Sequence, residues 1–181
     1  MVISRKTIFG KKNRLLSSRR ISTFFEADIE IIIYDFDGVM TDNRVLLSSE
    51  GVESVFCNRS DGLAVGAIKK ASIHQCIIST EVNPVVKQRA NKLGIPCVHG
   101  VSDKKSVLLE YLSDNHFNLK GAAYFGNDIN DLEAMKLAAV KIAPADAVPE
   151  VLEISDIITE ANGGDGVVYE VYKKWFLVNR K

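Results

Sequence analysis

The sequence has few of the residues from which disulfide frameworks and zinc sites are built. Its three cysteines, Cys57, Cys76 and Cys97, are widely spaced and form no C-x-x-C pair. This pattern favours buried free thiols in a reducing cytoplasm over a redox or metal role. Three scattered histidines likewise show no zinc-ligand spacing.

The chain also lacks net charge. Its 23 basic and 23 acidic residues balance to a formal charge of zero, so no overall attraction to nucleic acid or to a membrane surface is expected. Basic residues are concentrated only near the start, without interleaved aromatics on a strand face, and a nucleic-acid partner is therefore the weakest interpretation. A small anionic substrate would have to be captured by a local positive site.

Residues 1–28 have a different composition from the rest and are predicted to be a basic flexible leader or linker. No acidic residue precedes Glu26, serines are frequent, and no long apolar run occurs, which argues against a secretory signal or a membrane span. An organelle-targeting peptide has the same composition, and the sequence leaves both interpretations open.

Residues 29–181 alternate short apolar runs with helical patterns, which predicts one α/β domain with a Rossmann-like parallel sheet and helices on both faces. A small β-hairpin is predicted around Ser48-Ser49-Glu50-Gly51. Ligands of such sheets bind at the carboxyl ends of the strands. The predicted sheet strands are Ile29–Tyr34, Gln75–Ile78, Cys97-Val98, Ala122–Phe125, Val140–Ile142 and Ile157-Ile158, the hairpin strands Arg44–Leu47 and Ser54–Cys57, and the helices Asp61–Ala71, Asn83–Leu93, Ser102–Asp114, Asp128–Ala138 and Gly166–Leu177.

The most informative motif, Asp35-Phe36-Asp37-Gly38, directly follows the first predicted strand. A turn at Gly38 can bring both carboxylates to one place. Paired acids suit Mg²⁺, a hard cation that binds oxygen ligands and phosphates. They also suit covalent phosphoryl transfer, in which one aspartate attacks and its neighbour protonates the leaving oxygen. The alternative is a surface turn with two solvated aspartates.

Three further elements also follow predicted strands. Ser79-Thr80 could hold a phosphate oxygen, and Lys104 could neutralise the charge of phosphate and nucleophile together. The segment from Gly126 to Asp131 offers carboxylate and amide oxygens that could complete a metal shell, although an Asx-rich helix cap has the same composition.

The order of these elements resembles the haloacid dehalogenase superfamily of phosphatases. The resemblance implies that Asp35 is the nucleophile, that Asp37 is the general acid/base, and that a Mg²⁺ cofactor is bound. The implied phosphate-binding residues are Gly38, Ser79, Thr80 and Lys104, and the implied metal ligands are Asp35, Asp37, Asn127, Asp128 and Asp131. One departure stands out, because the superfamily usually has aspartate where this chain has Asn127.

The intervals after Asp42 and after Ser79 are too short to hold a cap domain. The chain therefore resembles the capless subfamily of 3-deoxy-manno-octulosonate 8-phosphate phosphatases and acylneuraminate 9-phosphate phosphatases, in which tetramers form through the hairpin and a neighbouring subunit closes the pocket. Three segments are most similar to the phosphatase-like module at the carboxyl end of acylneuraminate cytidylyltransferases: Phe56–Leu63, Ser79–Val86 and Gly126–Leu132.

Within the first of these segments, Asn58 and Arg59 are predicted to contact substrate. A guanidinium pairs bidentately with a carboxylate, which these sugar acids carry, although Arg59 could equally be a surface residue near a helix start. Glycines 163, 164 and 166 either permit a tight turn or form a loop that inserts into a neighbour's site.

Two functions follow from these observations. The first is a Mg²⁺-dependent phosphatase acting on a phosphorylated sugar acid of the acylneuraminate 9-phosphate type, with octulosonate 8-phosphate as the alternative substrate. The second is a non-catalytic tetramerisation module associated with acylneuraminate cytidylyltransferase, which the neutral Asn127 favours. The presence of Asp35, Asp37, Ser79 and Lys104 together favours the active enzyme.

Overall fold

The computed structural model describes residues 28–176. The predicted leader and the predicted helix end at Leu177 lie outside these residues. Within them, no helix is long and apolar enough to cross a membrane. The three cysteines are free, as the sequence predicted, but only Cys76 is buried, whereas Cys57 and Cys97 are partly exposed.

Six parallel strands form one sheet in the order β5-β4-β1-β6-β7-β8, with the first strand at its centre. β1 is buried along its whole length, because it pairs with β4 on one side and with β6 on the other. A separate antiparallel pair, β2 and β3, is the predicted hairpin, shortened to two residues per strand. The strands are β1 Ile31–Tyr34, β2 Leu46–Leu47, β3 Glu53–Ser54, β4 His74–Ser79, β5 Cys97–His99, β6 Ala122–Phe125, β7 Val140–Ala143 and β8 Ile157–Ile158.

The helices cover both faces of the sheet, as predicted. Residues of α1, α2 and α6 pack with Ile32 and Tyr34 on one face. Residues of α3, α4 and α5 pack with Ile31 and Ile33 on the other. The helices are α1 Arg59–Lys70, α2 Val85–Leu93, α3 Lys104–Asp114, α4 Leu132–Met135, α5 Pro149–Ile154 and α6 Val167–Val171, which continues as a π-helical turn over Tyr172–Phe176.

Local chemistry explains where the helices depart from the predictions. Helix α1 begins at Arg59, two residues before its predicted start at Asp61, because the side chain of Asn58 accepts a hydrogen bond from the backbone N–H of Ser60. The predicted helix Asp128–Ala138 is instead a 3₁₀ turn over Ile129–Asp131 followed by the short α4. Helix α5 was not predicted, since its six residues are too few to show a helical period.

Between β1 and β4 the chain forms only the hairpin and α1. Between Ser79 and Lys104 it forms only α2 and β5. The described part of the chain therefore contains no cap domain, as predicted.

Candidate active site

The carboxyl ends of the central strands bring together four of the residues singled out in the sequence. Asp35 follows β1, Ser79 ends β4, Lys104 begins α3 and Asn127 lies two residues after β6. All four are buried. Polar side chains from separate elements are buried together only when they satisfy one another or hold a ligand.

Lys104 forms the electrostatic centre of the site. Its Nζ lies 2.7 Å from Oδ1 of Asp35 and 2.8 Å from Oδ1 of Asp131. Burial disfavours its positive charge, but the two carboxylates outweigh burial and raise the pKa of Lys104 above its ordinary value. The lysine is therefore a permanent cation in contact with the candidate nucleophile.

Asp131 has both carboxylate oxygens engaged by donors. Its Oδ1 accepts hydrogen bonds from Lys104 and from the hydroxyl of Tyr124, at 2.8 and 3.1 Å. Its Oδ2 accepts the backbone N–H groups of Asn127 and Asp128, at 3.0 and 3.3 Å. This arrangement suits a residue that holds Lys104 and the loop after β6 in place.

The ionisation of Asp35 is set by competing influences. Burial raises the pKa of Asp35, the negative charge of Asp131 raises it further, and Lys104 opposes both. Inside the protein, the carboxylate of Asp35 accepts hydrogen bonds and pairs with Lys104, whereas in the unfolded chain water would solvate it. A carboxylate whose charge is poorly solvated is a better nucleophile than one in water.

Asp37 is more accessible than Asp35 and is oriented by Thr41, whose hydroxyl donates to its Oδ1 at 3.1 Å. Burial raises the pKa of Asp37, and the nearby charge of Glu81 adds to this effect, while the Thr41 hydrogen bond lowers it. A raised pKa suits a carboxyl group that gives up a proton and takes one back during turnover.

Three oxygen-bearing groups converge at one point: the side chain of Asp35, the backbone carbonyl of Asp37 and the side-chain amide of Asn127. The terminal amide of Asn127 lies 2.9 Å from the backbone carbonyl of Asp37 and 3.1 Å from Oδ2 of Asp35. With its nitrogen turned toward them, the amide donates to both oxygens. With its oxygen turned toward them, three oxygens face one another, which is an arrangement that a hard cation stabilises. The residues present therefore fit a magnesium ion.

This donor set is unusually poor in charge. No group of three His, Cys, Asp or Glu side chains in residues 28–176 is arranged to hold a metal ion. A cation between Asp35 and Asn127 would depend on a main-chain carbonyl and a neutral amide. Gly38 makes this approach possible, since a Cβ at this residue would lie 1.9 Å from Nδ2 of Asn127.

A cavity of about 240 Å³ opens above Asp35 and Asp37. Its walls include Ser79 and Thr80, the predicted phosphate-binding residues, together with residues that the sequence did not single out. Two of these are acids, Glu53 on the hairpin and Glu81 after β4; the others are Asn43, Val45, Val55, Asn83, Val85 and Asn130. Glu81 stands two residues after Ser79, a position that could have suggested it.

The structure does not bring Asn58 or Arg59 to this cavity. Asn58 caps α1, and Arg59 lines a second cavity of about 300 Å³ with Arg89, Lys92, Gly62 and Leu93. This second cavity has three basic residues and no acid among its lining residues. Asp128 does line the first cavity, and its side chain also accepts the backbone N–H of Ile129 at 2.7 Å.

A parallel sheet with a buried aspartate–lysine pair at its carboxyl edge is consistent with a hydrolase of the haloacid dehalogenase class, and the chain belongs to this family. The family's sequence profile, described as haloacid dehalogenase-like hydrolase, matches residues 82–171. The 3-deoxy-D-manno-octulosonate 8-phosphate phosphatase of Yersinia pestis is 33% identical over 146 residues, covering 80% of this chain and 78% of that protein. The chain is a phosphoric monoester hydrolase of the capless subfamily.

Similar solved structures belong to the same family. A haloacid dehalogenase superfamily hydrolase from Legionella pneumophila superposes with a TM-score of 0.83 at 31% identity, covering 89% of this chain and 88% of that one. The octulosonate 8-phosphate phosphatase of Moraxella catarrhalis, solved with magnesium, phosphate and 3-deoxy-D-manno-octulosonate, superposes with a TM-score of 0.80 at 30% identity, covering 85% and 88%.

Proposed function

We propose that this chain is a Mg²⁺-dependent phosphatase that removes the phosphate from a phosphorylated sugar acid through an aspartyl-phosphate intermediate. The observation that carries the proposal is the buried contact between Asp35 and Lys104, with Asp37 two residues away at the mouth of the same cavity. One carboxylate is thus held against a cation, and the other is free to exchange protons with a substrate.

In the first half of the reaction, a carboxylate oxygen of Asp35 attacks phosphorus in line. The bond from phosphorus to the sugar oxygen breaks, and Asp37 protonates that oxygen as it leaves. In the second half, Asp37 takes a proton from water, the water oxygen attacks phosphorus, and inorganic phosphate leaves as Asp35 is regenerated. Ser79 and Thr80 border the phosphate position, and Lys104 offsets the negative charge that gathers beside Asp35.

We assign the Mg²⁺ ion to Asp35, the backbone carbonyl of Asp37 and the amide oxygen of Asn127. A bound Mg²⁺ supplies positive charge beside the phosphoryl oxygens. Asp128 remains close enough to the cavity to contribute to this cation site. Asp131, whose oxygens are both engaged by donors, supports the site by holding Lys104.

Replacing Asn127 with aspartate tests this assignment. The added carboxylate should lower the Mg²⁺ concentration that gives half-maximal activity by roughly tenfold, because a charged ligand replaces a neutral one. With chelator present, the variant should unfold at a lower temperature than the wild type, since a third buried acid then lies near Asp35 and Asp131 with only Lys104 to balance the three charges. Activity and calorimetric titrations with Mg²⁺ measure the first effect, and thermal unfolding with chelator measures the second.

Asn130→Asp is the matched control for that experiment. Asn130 lines the same cavity, but its amide contacts Thr80 and not Asp35. It therefore adds the same charge without adding a ligand. An equal shift in both variants would mean that Asn127 acts only through the general field of the cavity.

The substrate we favour is an acylneuraminate 9-phosphate. The cavity walls carry Glu53 and Glu81, which can accept hydrogen bonds from sugar hydroxyls and from the N–H of an acylamino group. Among residues 28–176, no lysine or arginine lines this cavity. The sugar carboxylate must then meet a cation from elsewhere, and Arg59 of a neighbouring subunit is our candidate.

Octulosonate 8-phosphate is the second candidate, favoured by the names of the similar phosphatases. Phosphate release should be measured with both sugar-acid phosphates and with simple hexose phosphates in the presence of Mg²⁺. A preference for the acylneuraminate, weakened by Glu81→Gln, would support the first candidate. A preference for octulosonate 8-phosphate would establish the second, and equal turnover of hexose phosphates would contradict both.

We also propose that the enzyme is a homotetramer assembled through the hairpin. The hairpin segment exposes several apolar side chains, among them Leu46 at 65% and Phe56 at 74% of their surface. Apolar surface of this kind, projecting beside an open cavity, is typical of a subunit interface. A neighbouring hairpin would then close the cavity that this chain leaves open.

The variant Leu46→Lys, Leu47→Lys should form smaller species, because two charges would be buried at the interface. Light scattering coupled to size-exclusion chromatography measures this change. Activity on the sugar-acid phosphate should fall at the same time. Leu109→Lys is the control, since Leu109 is an exposed leucine on α3. A tetramer that survives in the hairpin variant, or a wild-type monomer, would refute this assembly.

A further inference from the structure

A buried carboxylate outside the catalytic cavity has only one of its oxygens paired. Asp61 lies in the first turn of α1 and has no exposed surface. Its Oδ1 accepts a hydrogen bond from the backbone N–H of Tyr169 at 2.9 Å, and its Oδ2 has no partner among the described residues. Burial raises the pKa of Asp61 to about 6, so the charged form is held at a cost in free energy. The backbone N–H of Tyr169 does most to offset this cost, and the charge of Arg89 and the backbone of Val168 add to its effect.

This contact fixes the start of α6. The helix begins after Gly166, which has a left-handed backbone with φ of 96° and has no side chain to cap the helix. The first N–H groups of any helix need an acceptor from outside it. Asp61, 108 residues earlier in the chain, supplies that acceptor and places a negative charge near the positive end of α6.

The segment before α6 rests directly on the loop that carries the candidate nucleophile. We call residues 161–166 the tail loop and residues 35–42 the nucleophile loop. The backbone N–H of Gly164 donates to the carbonyl of Val39 at 3.1 Å. A Cβ at Gly163 would lie 2.2 Å from the carbonyl oxygen of Gly38. The two loops therefore touch through main-chain atoms, with no side chain between them.

Two more carboxylates, those of Asp146 and Glu170, accept hydrogen bonds from the backbone of the tail loop and of the residue before it. Oδ1 of Asp146 accepts the backbone N–H of Gly163 at 2.8 Å. Glu170 accepts the N–H groups of Glu160 and Ala161, at 2.9 and 2.8 Å. Glu170 thus holds the start of the tail loop and Asp146 holds Gly163, while Gly163 and Gly164 contact the nucleophile loop.

We propose that Asp61 is a positioning residue for phosphoryl transfer. It fixes the start of α6 and, together with Asp146, holds the tail loop against the nucleophile loop. The carbonyl groups of Gly38 and Val39 belong to the turn that aims Asp35 and Asp37. A small displacement of this turn misplaces both carboxylates at once, and misplacement of reacting groups is costly in rate. The inference rests on the proposed roles of these two aspartates.

The test compares Asp61→Ala, which removes the acceptor, with Asp61→Asn, which keeps one acceptor oxygen. With the small substrate p-nitrophenyl phosphate, Asp61→Ala should lower kcat at least tenfold, with KM changed less than about threefold. Asp61→Asn should restore most of kcat. Hydrogen exchange of residues 36–42 and 162–169 should be faster in Asp61→Ala and near the wild-type rate in Asp61→Asn.

Asn118→Ala is the matched control. Asn118 caps the 3₁₀ turn before β6, at the end of the sheet opposite the site, and its loss should lower stability without changing kcat or exchange in the nucleophile loop. Unchanged kcat in Asp61→Ala, or an equal loss in Asn118→Ala, would overturn the proposal. If Asp61→Ala does not fold, the exposed Asp146→Ala must show the same faster exchange and lower kcat, or the proposal is wrong. Faster exchange in a protein without Asp35-dependent turnover would refute the proposed function and leave the loop contact standing.

Discussion

Replacing Asp35 with asparagine should lower phosphatase activity by a factor on the order of 10³ or more, because the amide cannot attack phosphorus. The fold should survive. Asparagine has nearly the same shape, and Lys104 keeps its ion pair with Asp131 at 2.8 Å. The measurement is Mg²⁺-dependent phosphate release from the preferred sugar-acid phosphate, with circular dichroism and thermal unfolding to show that the variant is folded.

The same loop offers a matched control. Asp42→Asn also converts an aspartate to its amide, but Asp42 pairs with the exposed Arg44 at 2.6 Å. Its activity should stay close to that of the wild type. Turnover by Asp35→Asn within tenfold of the wild type would exclude covalent catalysis by Asp35. Wild-type protein without turnover, in the presence of Mg²⁺, would favour the tetramerisation module instead.

The central part of the site could be predicted because sheet topology does the assembling. Asp35, Ser79 and Asn127 each follow a buried apolar run, and parallel strands bring the residues after their carboxyl ends to one edge. The order of the motifs along the chain was therefore enough to predict that these residues lie close together, without any knowledge of side-chain contacts. The alternation of strands and helices likewise predicted the two-sided helical cover, and the short intervals after Asp42 and Ser79 predicted the absence of a cap domain.

What the sequence could not show depends on local hydrogen bonds. Asp131 resembled a metal ligand in sequence, yet the short 3₁₀ turn before α4 directs its Oδ2 to the backbone N–H groups of the loop after β6. Arg59 was predicted to contact substrate, yet the cap at Asn58 starts α1 two residues before its predicted start at Asp61, and Arg59 lines a second cavity. Such outcomes depend on which of several nearby polar groups accepts a given hydrogen bond, and the spacing of residues along the sequence does not determine this.

Long-range contacts were also beyond the reach of the sequence. The glycines at 163 and 164 were expected either to form a tight turn or to enter a neighbour's site. The structure shows that they lie against the nucleophile loop of their own chain, where a Cβ would strike Gly38 or Asp42. Only Gly164 of the two has a positive φ, so close approach explains Gly163 better than turn geometry does.

The second large effect is expected from Lys104→Met, which keeps the volume of the side chain and removes its charge. Asp35 and Asp131 would then be buried without their common cation, and breaking a buried pair in this way costs about 3–5 kcal/mol. Phosphate release should fall by roughly 10²- to 10³-fold, since the charge that offsets the transferring group is also lost. Lys105→Met is the matched control, because the neighbouring lysine is partly exposed and only weakly paired with Glu133 at 3.7 Å.

The pH dependence of that loss identifies its cause. The pKa of Asp35 is already raised by burial and by Asp131, and losing Lys104 raises it further. An acid whose pKa is higher in the folded than in the unfolded state binds protons on folding, so the variant should be most stable at low pH. Its stability should fall as the pH rises toward the raised pKa. Because the pKa of Asp35 is about 8 with Lys104 present, the two proteins differ in proton binding only near and above that pH, and the deficit of the variant in urea unfolding should be larger at pH 9 than at pH 6.5. A deficit that does not change with pH would mean that Lys104 stabilises the fold by packing alone, and that the ion pair with Asp35 contributes little.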